Sequence, residues 1–400
     1  MQAVTFLGIA FAVIVTMLAF HRPLYQAILG GLLALALLCH ISLVELAGMV
    51  WKVVSSWSSL SILLALYTIT FLQRILEARS QIKLAQQDLN GIFHNRRINT
   101  MGAALFIGLL PSAASMLLCS EMVKDAAEDY LTPQEQAFTA SWFRHIPEST
   151  LPTYTAVLLM LNLSGVPASQ FILGMFFPML VLAVIGYVRY LRKIPKDPGT
   201  SESGSRRQNA IHLFQHLWSL ILILVLILLF HLDIVWSVLV SILISLVVYR
   251  VKTDELKKFA HSAVETQMLL NTFLVLVLKE VITYTGVLEA LPQIMSTLPL
   301  PPWLMFGLLF FFTALISGST AAISVGTPLA FSAIPGGMPL MVLLMCFTHA
   351  ASQLSPTHVC LVVASEYFRV PLGVMIRKTL PAALIFCGVM ILYYQVLVLL

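Results

Sequence analysis

Twelve residues from Phe143 to Tyr154, FRHIPESTLPTY, recur in altered form from Phe347 to His358 as FTHAASQLSPTH. Four identities are kept at a displacement of 204 positions: Phe143 and Phe347, His145 and His349, Pro152 and Pro356, Thr153 and Thr357. His145, His349 and Glu148 are groups able to relay a proton or to contact a cation or substrate. Thr153, Thr357 and Gln353 add hydroxyls and an amide suited to a polar solute. Glu148 sits one helical turn after His145, with Arg144 close by in sequence and Ser352 at its symmetric position. It reads either as a coupling group or as the partner of Arg144 in an ion pair. The two histidines read either as site groups or as hydrogen-bonded structural residues. Thr153 and Thr357 are as suited to capping the helices that follow as to touching a ligand. The second break adds His358 opposite Tyr154 and Gln353 opposite Ser149, which makes a polar but asymmetric pair. His145-Ile-Pro-Glu148 has no second histidine at helical spacing and contains a proline, so no metal site is expected. No phosphate-binding glycine loop is present to use ATP. No cofactor is expected beyond Na+ or H+ as a coupling ion.

These groups are positioned by interrupted helices. Proline lacks a backbone donor and biases the residue before it away from helix, so each stretch breaks the apolar helix that carries it. The chain has 400 residues, 59% hydrophobic and 10% charged, with a formal charge of +5; its mean hydropathy is +0.92. A soluble domain carries about 25% charged residues, so this composition excludes one and indicates a polytopic membrane protein. An ionisable side chain inside such a protein's spans is a functional candidate by default. The five cysteines, Cys39, Cys119, Cys346, Cys360 and Cys387, lie in apolar runs and read as small buried hydrophobes. The run Val4 to Phe20 has no basic leader or small-residue cleavage site and reads as a retained span.

Runs of about 20 apolar residues suffice to cross the bilayer. Spans are expected over Val4–Phe20, Tyr25–Leu43 and Ser58–Leu76, then across the break from Pro133 to Leu163, and over Gln170–Leu191. The second half repeats the plan with Ile211–Phe230, Ile234–Tyr249, Ala263–Gly286, the broken crossing from Met338 to Ser365, and Leu380–Leu399. Before each broken helix lies an apolar pair too short to cross twice, turning at Pro111–Ser115 and at Ser317–Ala321. Each reads as a re-entrant hairpin. Gln81–Arg97 and Val287–Leu298 read as amphipathic segments on the membrane surface, and Glu121–Asp129 as solvated. Lys279 and Glu280, late in their span, are expected to snorkel or to form a structural pair.

The expected fold is therefore all-α, with about 10 transmembrane helices in two inverted five-span repeats, each with a hairpin and a broken helix. Residues 1–193 form the first repeat, 194–210 a cytoplasmic linker and 211–400 the second repeat. Five spans is an odd number, so the second copy must enter the membrane upside down. With both termini outside, 19 of the 23 basic residues fall on inner segments, as cytoplasmic loops require. Irregular backbone at membrane depth must be buried in protein or line a wet cavity, so two tips and two breaks are expected to share one cavity. Helix ends there offer amides to an anion and carbonyls to a cation. The tip groups Ser112, Ser115, Ser317, Ser319 and Thr320 are expected at the ligand. The alternative is tight turns packed on their neighbours.

Paired broken helices and hairpins resemble the ion transporter superfamily of secondary carriers, with its gluconate permease-like, citrate and divalent-anion/sodium symporter families. WFRHIPE, Trp142 to Glu148, further resembles an integral-membrane branch carrying WFRH followed by Glu. The resemblance implies substrate and cation sites at tips Ser112–Ser115 and Ser317–Thr320 and at breaks His145–Thr153 and His349–Thr357. It also implies a homodimer, an elevator motion and arms formed by the two surface segments. The Ser-Asn-Thr signature of the divalent-anion symporters is at neither tip.

The expected activity is secondary transport of a small organic anion, a carboxylate, coupled to H+ or Na+ across a bacterial inner membrane, without enzymatic chemistry. The alternatives are an exporter of a metabolite or amphipathic compound, and an intramembrane protein that handles lipid.

Overall fold

The structure, a computed structural model, describes residues 2–399 apart from 21, 94, 110–112, 152–153, 197–204 and 287–298. Every regular element among these residues is helical, and the chain folds as an all-α polytopic membrane protein. Its first part runs α1 (Gln2–Ala19), α2 (Leu24–Leu38), α3 (Leu43–Ser55), α4 (Trp57–Ala78), α5 (Gln81–Ile92), α6 (Arg96–Ile107), α7 (Ala113–Ala127), α8 (Pro133–Arg144), α9 (Ile146–Thr150), α10 (Thr155–Ser164) and α11 (Ala168–Arg189). The second runs α12 (Arg206–Leu228), α13 (Ile234–Val248), α14 (Thr253–Ser262), α15 (Thr266–Tyr284), α16 (Pro302–Ser317), α17 (Ser319–Ala333), α18 (Gly337–Ser352), α19 (Val359–Tyr367) and α20 (Leu372–Leu399). Helix α12 takes in Arg206–Asn209, which the sequence assigns to the linker.

Five helices, α4, α11, α12, α15 and α20, are individually long and apolar enough to cross a membrane. Shorter apolar helices occupy the α2, α13, α16 and α18 positions. Of these, α16 is a hairpin arm and α18 a half-helix, which need to reach only part way through the bilayer.

Helices α6 with α7, and α16 with α17, pack as hairpins. The second turns on one residue: Gly318 has φ +86° and ψ 163°, a conformation open to glycine, so α17 starts directly after α16 ends. Helix α7 continues through the acidic stretch, with Val123 and Ala127 buried and Glu121, Asp125, Glu128 and Asp129 exposed, as the sequence predicts.

Around the other helices, α4 packs on α13, α14 and α15. Charged pairs sit at the edges of this contact: Arg79 holds Glu255 at 2.9 Å and Arg74 holds Glu265 at 3.0 Å; Lys52 of α3 holds Glu280 of α15 at 2.6 Å. Glu280 thus stands in a structural pair, with Lys52, a partner the sequence did not name. One expectation is corrected. Helix α5 does not offer its apolar face to lipid, because Ile82, Ala85 and Leu89 are buried and the helix packs along α12. Asp88 of α5 meets His216 of α12 at 2.6 Å. The second surface segment, Val287–Leu298, lies outside the described residues.

Candidate functional site

The first break begins where Pro147 withdraws its backbone donor and its ring crowds the carbonyl four residues back. Helix α8 closes at Arg144, His145 caps it, and α9 runs only from Ile146 to Thr150. Leu151 is then extended, as a residue before proline must be. The second break is displaced. Ala351 stands where the first copy has Pro147, so α18 runs on to Ser352 before Pro356 forces the turn. His349 therefore lies inside its helix, whereas its mate His145 lies at a helix end.

The two breaks lie against each other. His145 Nδ1 is 2.5 Å from the Ser141 carbonyl, which can only accept, so that nitrogen carries the proton. His145 Nε2 is then a lone pair, and His358 Nε2–H donates to it at 2.8 Å. Three more bonds cross the same seam. Ser149 Oγ meets His349 Nδ1 at 2.8 Å, and Ser141 Oγ donates to Gln353 Oε1 at 3.3 Å. The Gln353 amide also donates to the Trp142 carbonyl at 3.4 Å. His349 Nε2 is buried and has no hydrogen-bond partner among the described residues.

Charge gathers at the same place. Arg144 is 2% exposed, donates to Glu148 at 2.9 Å, and donates twice to Ser115 Oγ of the first hairpin at 3.0 and 3.2 Å. Glu148 also lies 3.8 Å from His145 Nε2. The pairing of Glu148 with Arg144 is present. Hairpin backbone comes in closely too. A Cβ on Gly108 would lie 2.3 Å from the Arg144 carbonyl, and Tyr154 donates its hydroxyl to the Gly108 carbonyl.

Of the residues singled out in the sequence, the fold brings together Ser115, His145, Glu148, His349, Gln353 and His358. Ser112 and Thr153 lie outside the described residues. Thr357 does not cap α19. Its hydroxyl bonds the Ile316 carbonyl at 3.3 Å and meets Ser355 Oγ at 2.9 Å, so this pair serves the carbonyl end of α16 instead. The reason is register: His358, not Thr357, occupies the cap position of α19. Ser317 closes α16 with a buried hydroxyl that has no partner among the described residues. Ser319 and Thr320 open α17 and are not bonded to the histidine pair among those residues.

Ser141 and Cys360 belong to the cluster and were not foreseen. Ser141 lies one turn before His145 on the same helix face, and that spacing is the signal that identifies it. Cys360 follows His358 by two residues inside an apolar run, where it reads as packing.

The crystal structure of the Alcanivorax borkumensis YdaH transporter is similar, with a TM-score of 0.63 over 89% of each chain at 13% sequence identity. At that identity the likeness is one of fold. No match to the chain is found among curated protein sequences. A family model described as a protein of unknown function, DUF401, matches residues 3–397, and the chain belongs to that family.

Proposed function

We propose that this protein is a secondary active transporter that moves a small organic anion, a carboxylate, coupled to H+ or Na+. One observation carries the reading: two interrupted helices 204 residues apart meet through His145 and His358, Ser149 and His349, and Ser141 and Gln353. A pair of broken helices at corresponding places in two halves of a membrane chain marks a carrier's binding site. The relation to a protein described as a transporter supports the same class. The finer reading is an elevator-type carrier of the ion transporter superfamily, built as two inverted five-span repeats. It forms a homodimer in a bacterial inner membrane with both termini outside.

Arg144 gives the reading a mechanism. Its guanidinium is the fixed positive charge at the break, and Glu148 occupies one edge of it. A substrate carboxylate competes with Glu148 for that edge, because both want the same two-pronged donor. Protonating Glu148 releases the guanidinium, so a proton enters with the anion and transport follows the proton gradient. Under Na+ coupling the cation draws Glu148 away and does the same work.

The test is uptake into proteoliposomes, with the carboxylate chosen beforehand by thermal stabilisation, since a ligand that binds the folded state raises its melting temperature. The wild type is expected to concentrate the anion only under an imposed pH or Na+ gradient. Glu148→Gln is expected to bind and equilibrate the anion yet fail to concentrate it. Concentrative uptake by Glu148→Gln with unchanged ion dependence would remove the coupling role. If no carboxylate registers, the carrier assignment moves to other solutes.

A further inference from the structure

A second chemistry is assembled across the same seam, from two pairs of residues 210 to 215 positions apart. A ring nitrogen of His145, one of His358 and Cys360 Sγ lie within 4.8 Å of one another, and the two Nε2 atoms stand 2.8 Å apart. Glu148 places a carboxylate oxygen 3.8 Å from His145 Nε2. We propose that these four side chains form a binding site for a borderline-soft divalent metal ion, of which Zn2+ is the type, bridging the first helix break to the second.

The donor set fits. Two imidazoles, a thiolate and a carboxylate suit a tetrahedral zinc-class ion, and they exclude magnesium or calcium, which take oxygen ligands. Ligand atoms around such an ion stand roughly 3.5 Å apart, given metal bonds of about 2.0–2.3 Å. The two imidazole nitrogens at 2.8 Å must therefore part slightly, and the sulfur must come closer by about 1 Å. Both are side-chain adjustments at the edge of a break.

Preorganisation argues for a ligand more strongly than proximity does. Metal-binding histidines nearly always donate their other ring N–H to a carbonyl or carboxylate, which fixes the tautomer and aims the free lone pair. His145 has this arrangement, with Nδ1–H on the Ser141 carbonyl and Nε2 turned toward His358. Binding requires two proton movements. Cys360 gives its thiol proton to solvent and becomes the thiolate ligand. His358 shifts its N–H from Nε2 to Nδ1, which frees Nε2 for the metal. His358 and Glu148 are partly exposed, and so define the side of entry, while His145 and Cys360 are buried behind them.

The sequence argued against a metal because His145-Ile-Pro-Glu148 contains one histidine. The fold supplies the missing donors from the other copy of the motif. A metal here ties α8–α9 to α19, so its expected effect is to hold the two breaks in one arrangement. It also takes Glu148 from Arg144.

Cobalt titration of the purified, tag-free full-length chain tests this without any knowledge of substrate, so a failure leaves the transport reading standing. The wild type is expected to bind one Co2+ per chain with the intense visible bands of tetrahedral cobalt and a thiolate-to-cobalt charge-transfer band in the near ultraviolet. Cys360→Ser should lose the charge-transfer band, and His358→Ala should lose the tetrahedral bands. Cys387→Ser, which alters a buried thiol elsewhere, should keep both. Melting curves without metal establish that each variant is folded. Zn2+ should raise the melting temperature of the wild type and have little effect on the His358 variant. The proposal is overturned if the wild type shows no thiolate band, or if the band survives Cys360→Ser. It is also overturned if cobalt binds only through His212, His216 and Asp88, the other histidine and carboxylate group, in which case no sulfur signature appears.

Discussion

Arg144 and Glu148 show how closely stability and function are joined at one pair of side chains. The guanidinium is nearly sealed from solvent, and among the described residues it donates to Glu148 and twice to Ser115. Taking one partner from a buried pair leaves an uncompensated charge, whereas replacing both with apolar groups of similar size is often neutral. Arg144→Met is therefore expected to cost about 3 kcal/mol, near the lower end for buried pairs because Glu148 retains some exposure. The double variant Arg144→Met with Glu148→Met should recover most of that loss. Thermal denaturation in detergent reads both, and a single variant that melts with the wild type would show that the pair is not structural. The sequence exposed this site only in part. His145, His349 and Glu148 stood out because two copies share a spacing and a charge interrupts apolar text. Ser141 and Cys360 did not, since a serine or a thiol inside an uninterrupted helix looks like packing. Nor does local spacing around His145 reveal a histidine that arrives 213 residues later.

At the scale of elements, the two copies of the motif differ because of single residues. Pro147 ends the first half-helix early, while Ala351 lets its counterpart run a turn further and places His349 within a helix. The second break begins a helical turn later than the repeat implied, whereas the first was legible because proline's effect is local and steric. The cap assignments were not, because the bonding of a hydroxyl depends on which carbonyl end the fold brings alongside. Thr357 is the example, since it serves α16 from a distance of 41 residues. The second hairpin rests on one backbone conformation. Gly318 at φ +86° has nothing within 4 Å of where a Cβ would stand, so any penalty for alanine there comes from the backbone alone. Gly318→Ala is expected to destabilise by about 1–3 kcal/mol. Gly388→Ala, also in open space but inside α20, should instead be neutral or stabilise by about 0.5–1 kcal/mol. Comparing the two melting temperatures separates strain at the tip from the general effect of adding a methyl group. Equal behaviour would mean that the turn relaxes freely.

For the molecule as a whole, the long apolar helices α4, α11, α12, α15 and α20 fall where the hydropathy pattern foretold spans, because lipid forces long apolar runs. The partners of those elements were harder to see. Helix α5 has the composition of a membrane-surface helix, yet its apolar face is taken up by α12, and a sequence pattern records that a face is buried without saying by what. Ion pairs also join the two parts of the chain where α4 packs on α13, α14 and α15, and Glu255 of α14 is the clearest case. Hydrogen bonds from Arg79, then from the Lys252 backbone, hold its carboxyl down at about 2. A carboxyl depressed in the folded state stabilises at pH values above its unfolded pKa of about 4.3, and that contribution fades as pH falls toward the folded value. Glu255→Gln should therefore melt below the wild type by a constant margin from neutral pH down to about pH 5, and the margin should narrow below about pH 4. Raising salt should shrink it at every pH, because the pair is partly exposed and screened. A margin that stays flat through the acid range would mean that Arg79 and Glu255 do not hold α4 to α14 by charge, and that apolar contacts such as Phe71 on Phe259 carry the junction alone.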